Sequence, residues 1–264
     1  MNDTIKNNKK AWEEAFDQSS VKFKQSMKQR LKENPKSIIS PYLSPQLEEA
    51  GKNGGRLAHF CCNNGRETLA SLAFGFTEVK GIDIAENMVR FGNEVAHELS
   101  LNASFEANNI LALTPPDKLY DVALITVGAL CWFDNLEGFF KVVASWVKKD
   151  GILLIEEGHP VQNTLATKSE EGYNKDYPKN IVYDYFRKAP WVENKGMGYM
   201  TDQDYKSEPF TSYTHPMMDI LNGMIASGFQ LKKLEEIPVC QGNMMTELNH
   251  QGIPLSCVIV AQKQ

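Results

Sequence analysis

The residues best placed to do chemistry are an open turn, Cys61 to Gly65, and an acid, Asp83, that lies 18 residues beyond the turn's glycine. An apolar stretch, Arg56 to Cys61, runs into the turn, a helix-patterned segment follows, and a second apolar stretch from Glu78 ends on Asp83. A turn whose backbone lies open at a helix start can approach a ligand closely, and an acid at the tip of the next strand can accept both hydroxyls of a ribose. The interval is near the roughly 20 residues that one helix and one strand require. Together these features outline a nucleoside site. The glycine fingerprint of a dinucleotide binder is poor, because Cys61 and Asn63 hold two of its positions and a pyrophosphate pressed on the turn would meet their side chains. The pattern favours an adenosine-bearing ligand whose turn-facing part is small.

At this point the chain resembles a known family. The run Leu57 to Gly65 resembles the first motif of the class I S-adenosylmethionine-dependent methyltransferases, in which apolar residues lead to an acid, an apolar residue and Gly-x-Gly-x-Gly. Gly81 to Met88 resembles the second motif, Asn108-Asn109-Ile110 the end of the third strand, Tyr120 to Gly128 the fourth-strand motif, and Val147 to Ile155 the turn and strand that close the cofactor half. The resemblance covers roughly residues 50 to 160 and, more faintly, 213 to 261. What carries it is the order of the motifs.

The resemblance implies S-adenosyl-L-methionine as cofactor, with His59, Cys61, Asn63 and Gly65 at the turn, Asp83 on the ribose, Ile84 and Met88 along the adenine, Asn109 and Ile110 at the adenine amine, and Thr126 at the end of strand four. It also exposes departures. The family's acid near the end of strand one is His59 here, and a histidine with its ordinary pKa near 6.5 is no dependable anion for the methionyl ammonium. Asn109 supplies an amide where a carboxylate is common, and an amide oxygen still accepts from an amine.

The elements that position these residues follow from periodicity. Leu69, Leu72 and Phe76 mark one helical stripe and Met88, Phe91, Val95 and Leu99 another. Strand four is apolar throughout, as a central parallel strand buried on both faces should be. Strands alternating with helices imply a parallel α/β sheet, and the family's version is Rossmann-like and seven-stranded, mostly parallel with an antiparallel seventh strand, helices on both faces and an inserted lid. Residues 1–50 read as an N-terminal helical segment that packs on or caps the core, and residues 51–264 as the methyltransferase domain with its lid at about 160–213. The lid follows Gly158-His159-Pro160, is rich in aromatic residues, and is long enough to be functional if ordered. Trp12 belongs to the first segment and is expected either to pack a helix onto the core or to fold over the cofactor.

Substrate-pocket candidates are Trp132, His159, Tyr183, Trp191 and Tyr213, with His159 a weak candidate for a general base and Tyr185 and His215 as further lid residues. Each has a plainer reading as packing or turn shape, and Asp83 itself could merely cap the helix that follows.

Composition narrows the function classes. Hydrophobic residues make up 42% of the 264 residues and aromatics 10%, enough for a core, and a net charge of −5 disfavours a general nucleic-acid surface. The polar N-terminus and the lack of a long apolar run point to a cytoplasmic protein with no membrane partner. Five cysteines without a Cys-x-x-Cys pair read as reduced thiols, and strand alternation splits His59, Cys61 and Cys62 between faces, so no metal is expected. The expected activity is in-line methyl transfer to a small-molecule acceptor. The alternatives are a nicotinamide-dependent oxidoreductase, weakened by the broken glycine fingerprint and the lack of a Tyr-x-x-x-Lys pair, and a non-catalytic binding module on the same sheet.

Overall fold

The computed structural model describes residues 2–201 and 205–264. Three helices come first: α1 (Asp3–Asp17), α2 (Val21–Glu33) and α3 (Ser44–Gly51). The first two begin where the sequence supplies caps. The Asn2 side chain accepts from the Ile5 amide at 2.9 Å and the Ser20 hydroxyl from the Phe23 amide at 3.1 Å.

The alternating section then runs β1 (Arg56–Phe60), α4 (Arg66–Ser71), β2 (Glu78–Asp83), α5 (Glu86–Glu98), β3 (Ala103–Ala107), β4 (Tyr120–Ile125), α6 (Leu136–Trp146) and β5 (Val147–Gly158). After β5 come the short elements β6 (Trp191–Glu193), α7 (Gly198–Thr201) and β7 (Phe210–Ser212), then α8 (Met217–Ala226), β8 (Phe229–Ile237) and β9 (Ser256–Lys263).

Among the described residues these strands form a seven-stranded sheet in the order β3-β2-β1-β4-β5-β9-β8, and β6 pairs with β7 as a separate ribbon. Strand β9 runs antiparallel to both β5 and β8, and the other neighbours are parallel. This is the expected α/β architecture with its reversed strand.

Alternation along β4 divides the core. Val122 and Leu124 join Leu57, Leu154, Leu69 and Met88 on the face covered by the N-terminal helices, α4 and α5. Ala123 and Ile125 join Phe139, Phe140, Ile155 and Met224 on the face covered by α6 and α8. Both faces are covered by helices, so polar side chains collect at the strand tips, beside the point between β1 and β4 where the strand order reverses. No described helix is long and apolar enough to cross a membrane.

Candidate functional site

The turn after β1 keeps the backbone of a glycine-rich loop with glycine at one of its three left-handed positions. Cys61, Asn63 and Gly65 have φ values of 57°, 52° and 83°. Asparagine tolerates this region because its short polar side chain bonds locally, and here the Asn63 side chain accepts from the Asn64 amide at 2.8 Å. Cysteine has no such relief, and the left-handed conformation costs an L-residue about 1–2 kcal/mol. Backbone outliers of this kind gather at ligand clamps. Cys61→Gly is therefore expected to raise stability by up to about 1 kcal/mol, the released strain being partly offset by the freer unfolded chain. A urea midpoint that falls instead would show that thiol packing outweighs the strain.

Asp83 ties this turn to the tip of β2. Its Oδ2 accepts from the Asn63 amide at 2.7 Å and its Oδ1 from the Ala85 amide at 3.0 Å. Burial dominates its electrostatics and raises the carboxyl pKa to about 6, against the amides of Ala85, Asn63 and Ile84, which pull it down. A carboxylate offers about four lone-pair positions, so these amides leave room for a further donor. Beside it the Asn108 amide donates to the Asp83 carbonyl at 2.8 Å. The Asn109 side-chain oxygen accepts from the Leu111 amide at 3.2 Å, and Ile110 is buried. Met88, expected along the adenine, is fully buried in the core beneath.

His59 lies at the end of β1 on the face of the N-terminal helices. Its Nδ1 is 2.8 Å from the Thr68 hydroxyl and its Nε2 3.1 Å from the Thr126 hydroxyl. Burial lowers its pKa to about 4, so the ring is neutral at pH 7. Two acids end β5 nearby. Glu157 accepts from the amides of Gly128, Ala129, Leu130 and Gly158 at 2.6, 3.0, 3.1 and 2.9 Å, which fixes the loop after β4. Glu156 accepts from the Ser40 hydroxyl, and burial raises its pKa to about 7. A Cβ built on Gly128 would meet nothing within 4 Å, so this loop borders open space.

The N-terminal helix lies across these tips. Asn87, four residues beyond Asp83, donates from Nδ2 to the Glu13 carbonyl at 2.7 Å and to Asp17 Oδ1 at 2.8 Å. The Glu86 amide donates to Glu13 Oε1 at 3.0 Å, and Lys9 pairs with Glu86. On its other side α1 grips β7: Asn8 Nδ2 donates to the Thr211 carbonyl at 2.8 Å and the Thr211 amide returns a bond to Asn8 Oδ1 at 2.7 Å. Trp12 completes the join, its ring centroid 5.4 Å from both Trp132 and Phe210. Of the two expectations for Trp12, these contacts bear on the first: the ring packs the helix down onto the loop after β4 and onto β7.

The remaining pocket candidates do not converge. His159 is buried with both ring nitrogens engaged, Nδ1 accepting from the Val161 amide at 3.2 Å and Nε2 lying 3.0 Å from Glu236 Oε1. That arrangement shapes the turn after β5 and leaves no free nitrogen for a base. Tyr183 packs edge-on against Trp191 at 4.9 Å, and the Arg187 guanidinium stacks over Trp191 at 4.0 Å, so these rings pack with each other inside the insertion. Tyr213 reaches the site through its backbone, its amide donating to the Cys131 carbonyl at 2.8 Å. His215 donates from Nε2 to the Phe133 carbonyl at 2.8 Å. Glu156 and Glu157 enter the sequence reading only as acids at the carboxyl end of the fifth strand, where ligands are expected, and Glu13 and Asn87 do not enter it. The signal for the first two was present, as adjacent acids ending a buried strand. Nothing local marks the other two, because their partners are some seventy residues away. Among the described residues no three His, Cys, Asp or Glu side chains are grouped to hold a metal ion.

Comparison with known proteins fits this geometry. Residues 58–151, from β1 to the start of β5, match the family described as "Methyltransferase domain". Those residues match that family's model, and the seven-stranded sheet around them, with its reversed strand, has the class I methyltransferase fold. The chain is similar in fold to a putative S-adenosylmethionine-dependent methyltransferase from Listeria monocytogenes, with a TM-score of 0.61 and 20% identity over 83% of this chain and 97% of that one. It is also similar to geranyl diphosphate C-methyltransferase from Streptomyces coelicolor, solved with Mg2+, geranyl diphosphate and S-adenosyl-L-homocysteine, with a TM-score of 0.54 and 14% identity over 84% of this chain and 78% of that one. At these identities the likeness speaks for the fold. Phosphoethanolamine N-methyltransferase 1 of Zea mays is 23% identical over 148 residues, which span 54% of this chain and 28% of the maize protein. The matched segment thus spans about a quarter of that relative's length.

Proposed function

We propose that this chain transfers a methyl group from S-adenosyl-L-methionine to a small-molecule acceptor. The observation that carries the reading is the left-handed turn at Cys61, Asn63 and Gly65, locked to Asp83 at the tip of β2 by the Asn63 amide. A turn held in that conformation without glycine at two of its three positions keeps backbone strain at Cys61, and strain of this kind clusters at ligand clamps.

In this reading the lone pair left on Asp83 accepts from the ribose, Ile84 and Ile110 flank the adenine, and the Asn109 amide meets its exocyclic amine. His59, between two threonine hydroxyls, holds the turn and the β4 tip together. The cofactor supplies an electrophilic methyl carbon whose bond to sulfur breaks as the acceptor's bond forms. The protein's part is to hold donor and acceptor in line and to keep water out. Helix α1, with Trp12 against Trp132 and Phe210, does the second task by roofing the tips of the strands. The insertion supplies β7, to which that roof is bolted. The domain thus contains the cofactor half and a closing segment, and the acceptor lies on the Trp132 side.

Calorimetric titration with S-adenosylhomocysteine and with NAD is expected to give saturable binding of the first and none of the second. Binding of NAD alone would overturn the reading in favour of an oxidoreductase. Turnover of labelled methyl groups is then to be followed across a metabolite panel, beginning with primary amines because the maize relative is named for an amine acceptor. A protein that binds S-adenosylhomocysteine but methylates nothing in any fraction of a cell extract would be a binding module.

A further inference from the structure

The two acids that end β5 have opposite environments. Glu157 is satisfied by four amides. Glu156 is 5% exposed, its Oε1 accepts from the Ser40 hydroxyl, and its Oε2 has no partner among the described residues. Ser40 is itself held in place, because the Leu43 amide donates to its hydroxyl at 3.1 Å. Glu156 forms no ion pair among the described residues, and the charged groups that bear on it, Glu67 and Glu157, share its sign. A buried carboxylate with an unused oxygen and like-charged neighbours is costly unless it holds a proton or faces a cation.

Its position indicates which cation. The register pairs Ile125 with Ile155, so Thr126 and Glu156 stand side by side on the sheet face that also carries His59. Thr126 is bonded to His59, the residue that replaces the acid of the first motif. The neutral imidazole leaves β1 itself without a negative charge at this tip, and across β4 the end of β5 supplies a carboxylate without a positive partner among the described residues.

We propose that Glu156 is the anionic wall of an ammonium subsite at the carboxyl ends of β1, β4 and β5, taking the α-ammonium of the cofactor's amino-acid head in place of an acid on strand one. The inference rests on the methyl-transfer reading and names a contact within it. The Ser40 hydroxyl orients the carboxylate, and the Thr126 hydroxyl lies beside it as a second polar contact.

Two ligands separate a contact with the amino-acid head from a general effect on the site. S-adenosylhomocysteine carries the ammonium, and 5′-methylthioadenosine has the same nucleoside without it. Glu156→Gln, which keeps the shape and an acceptor for Ser40, is expected to weaken S-adenosylhomocysteine binding by about 10- to 100-fold, the range of one charge-assisted hydrogen bond, and to leave 5′-methylthioadenosine binding unchanged. Glu156→Asp, which keeps the charge but withdraws it by one methylene, is expected to show the same selectivity with a smaller loss and serves if the glutamine variant does not fold. His59→Asp in the Glu156→Gln background returns an anion to strand one and is expected to recover part of the loss. Equal losses for both ligands, or no loss for either, would overturn the ammonium subsite and leave the methyl-transfer reading standing. Wild-type protein that binds neither ligand would overturn both.

Discussion

Asp83→Ala is expected to weaken S-adenosylhomocysteine binding by about 1.5–3 kcal/mol, the scale of hydrogen bonds to a charged group. The carboxylate accepts from the Asn63 and Ala85 amides, so its removal also unties the turn from β2. The loss should therefore reach 5′-methylthioadenosine as well, since the ribose and not the amino-acid head is affected. Asp83→Asn keeps one acceptor oxygen and separates the charge from the tether. Ribose hydroxyls donate to the ionised form, so wild-type affinity is expected to fall as pH drops through about 6, the value to which burial raises Asp83. The Asn variant should lose that inflection. In the ligand-free protein the sign is opposite. A folded-state pKa above the ordinary 3.8 means that Asp83's contribution to stability is present below that value and lost as pH rises through about 6. Isothermal titration at pH 5 and pH 8 measures the first effect and thermal unfolding the second. Unchanged affinity in Asp83→Ala would remove this residue from the site.

Gly65→Ala is expected to destabilise the fold by about 2–4 kcal/mol, combining left-handed strain with overpacking. Gly65 has φ +83°, and a Cβ there would lie 2.4 Å from Cε1 and 2.5 Å from Cζ of Phe105. The ring has nowhere to retreat. A Cβ on Gly81 would meet it at 2.4 Å and one on Gly92 at 3.1 Å, so three glycines wall the same buried side chain. The turn, β2 and α5 thus all pack against one ring of β3, and a shift at Gly65 propagates to the Asn63–Asp83 pair proposed to hold the ribose. Urea unfolding measures the loss. Phe105→Leu in the same background shortens the ring's reach and should recover the overpacking part, leaving the backbone strain. Full recovery would show that the backbone tolerates alanine at this φ.

Much of the scaffold was legible before any coordinates. The alternation of apolar strands with helical stripes, the interval from Gly65 to Asp83 and the apolar run of β4 all reflect local rules, and the sheet with its reversed strand matches them. The turn was legible in place but not in shape, because two of its three left-handed positions lack glycine and only the backbone reveals them. His159 illustrates the limit on the acceptor side. A histidine before a proline after β5 has the right chemistry for a base, but its neighbours are Val161 and Glu236, the latter brought in by β8 from the far side of the sequence.

By itself the sequence determined which segments of the α/β core become strands and helices, their order, and the spacing between the turn and the acid at the next strand tip, because periodicity and spacing act over a few residues to a few tens. The tertiary structure decided that α1 roofs the strand tips through Glu13, Trp12 and Asn8, that His59 is buried and neutral between two threonines, and that Glu156 has no cation beside it among the described residues. Charge state and partnership depend on burial and on side chains far apart in the chain, and these exist only once the faces of the sheet are covered.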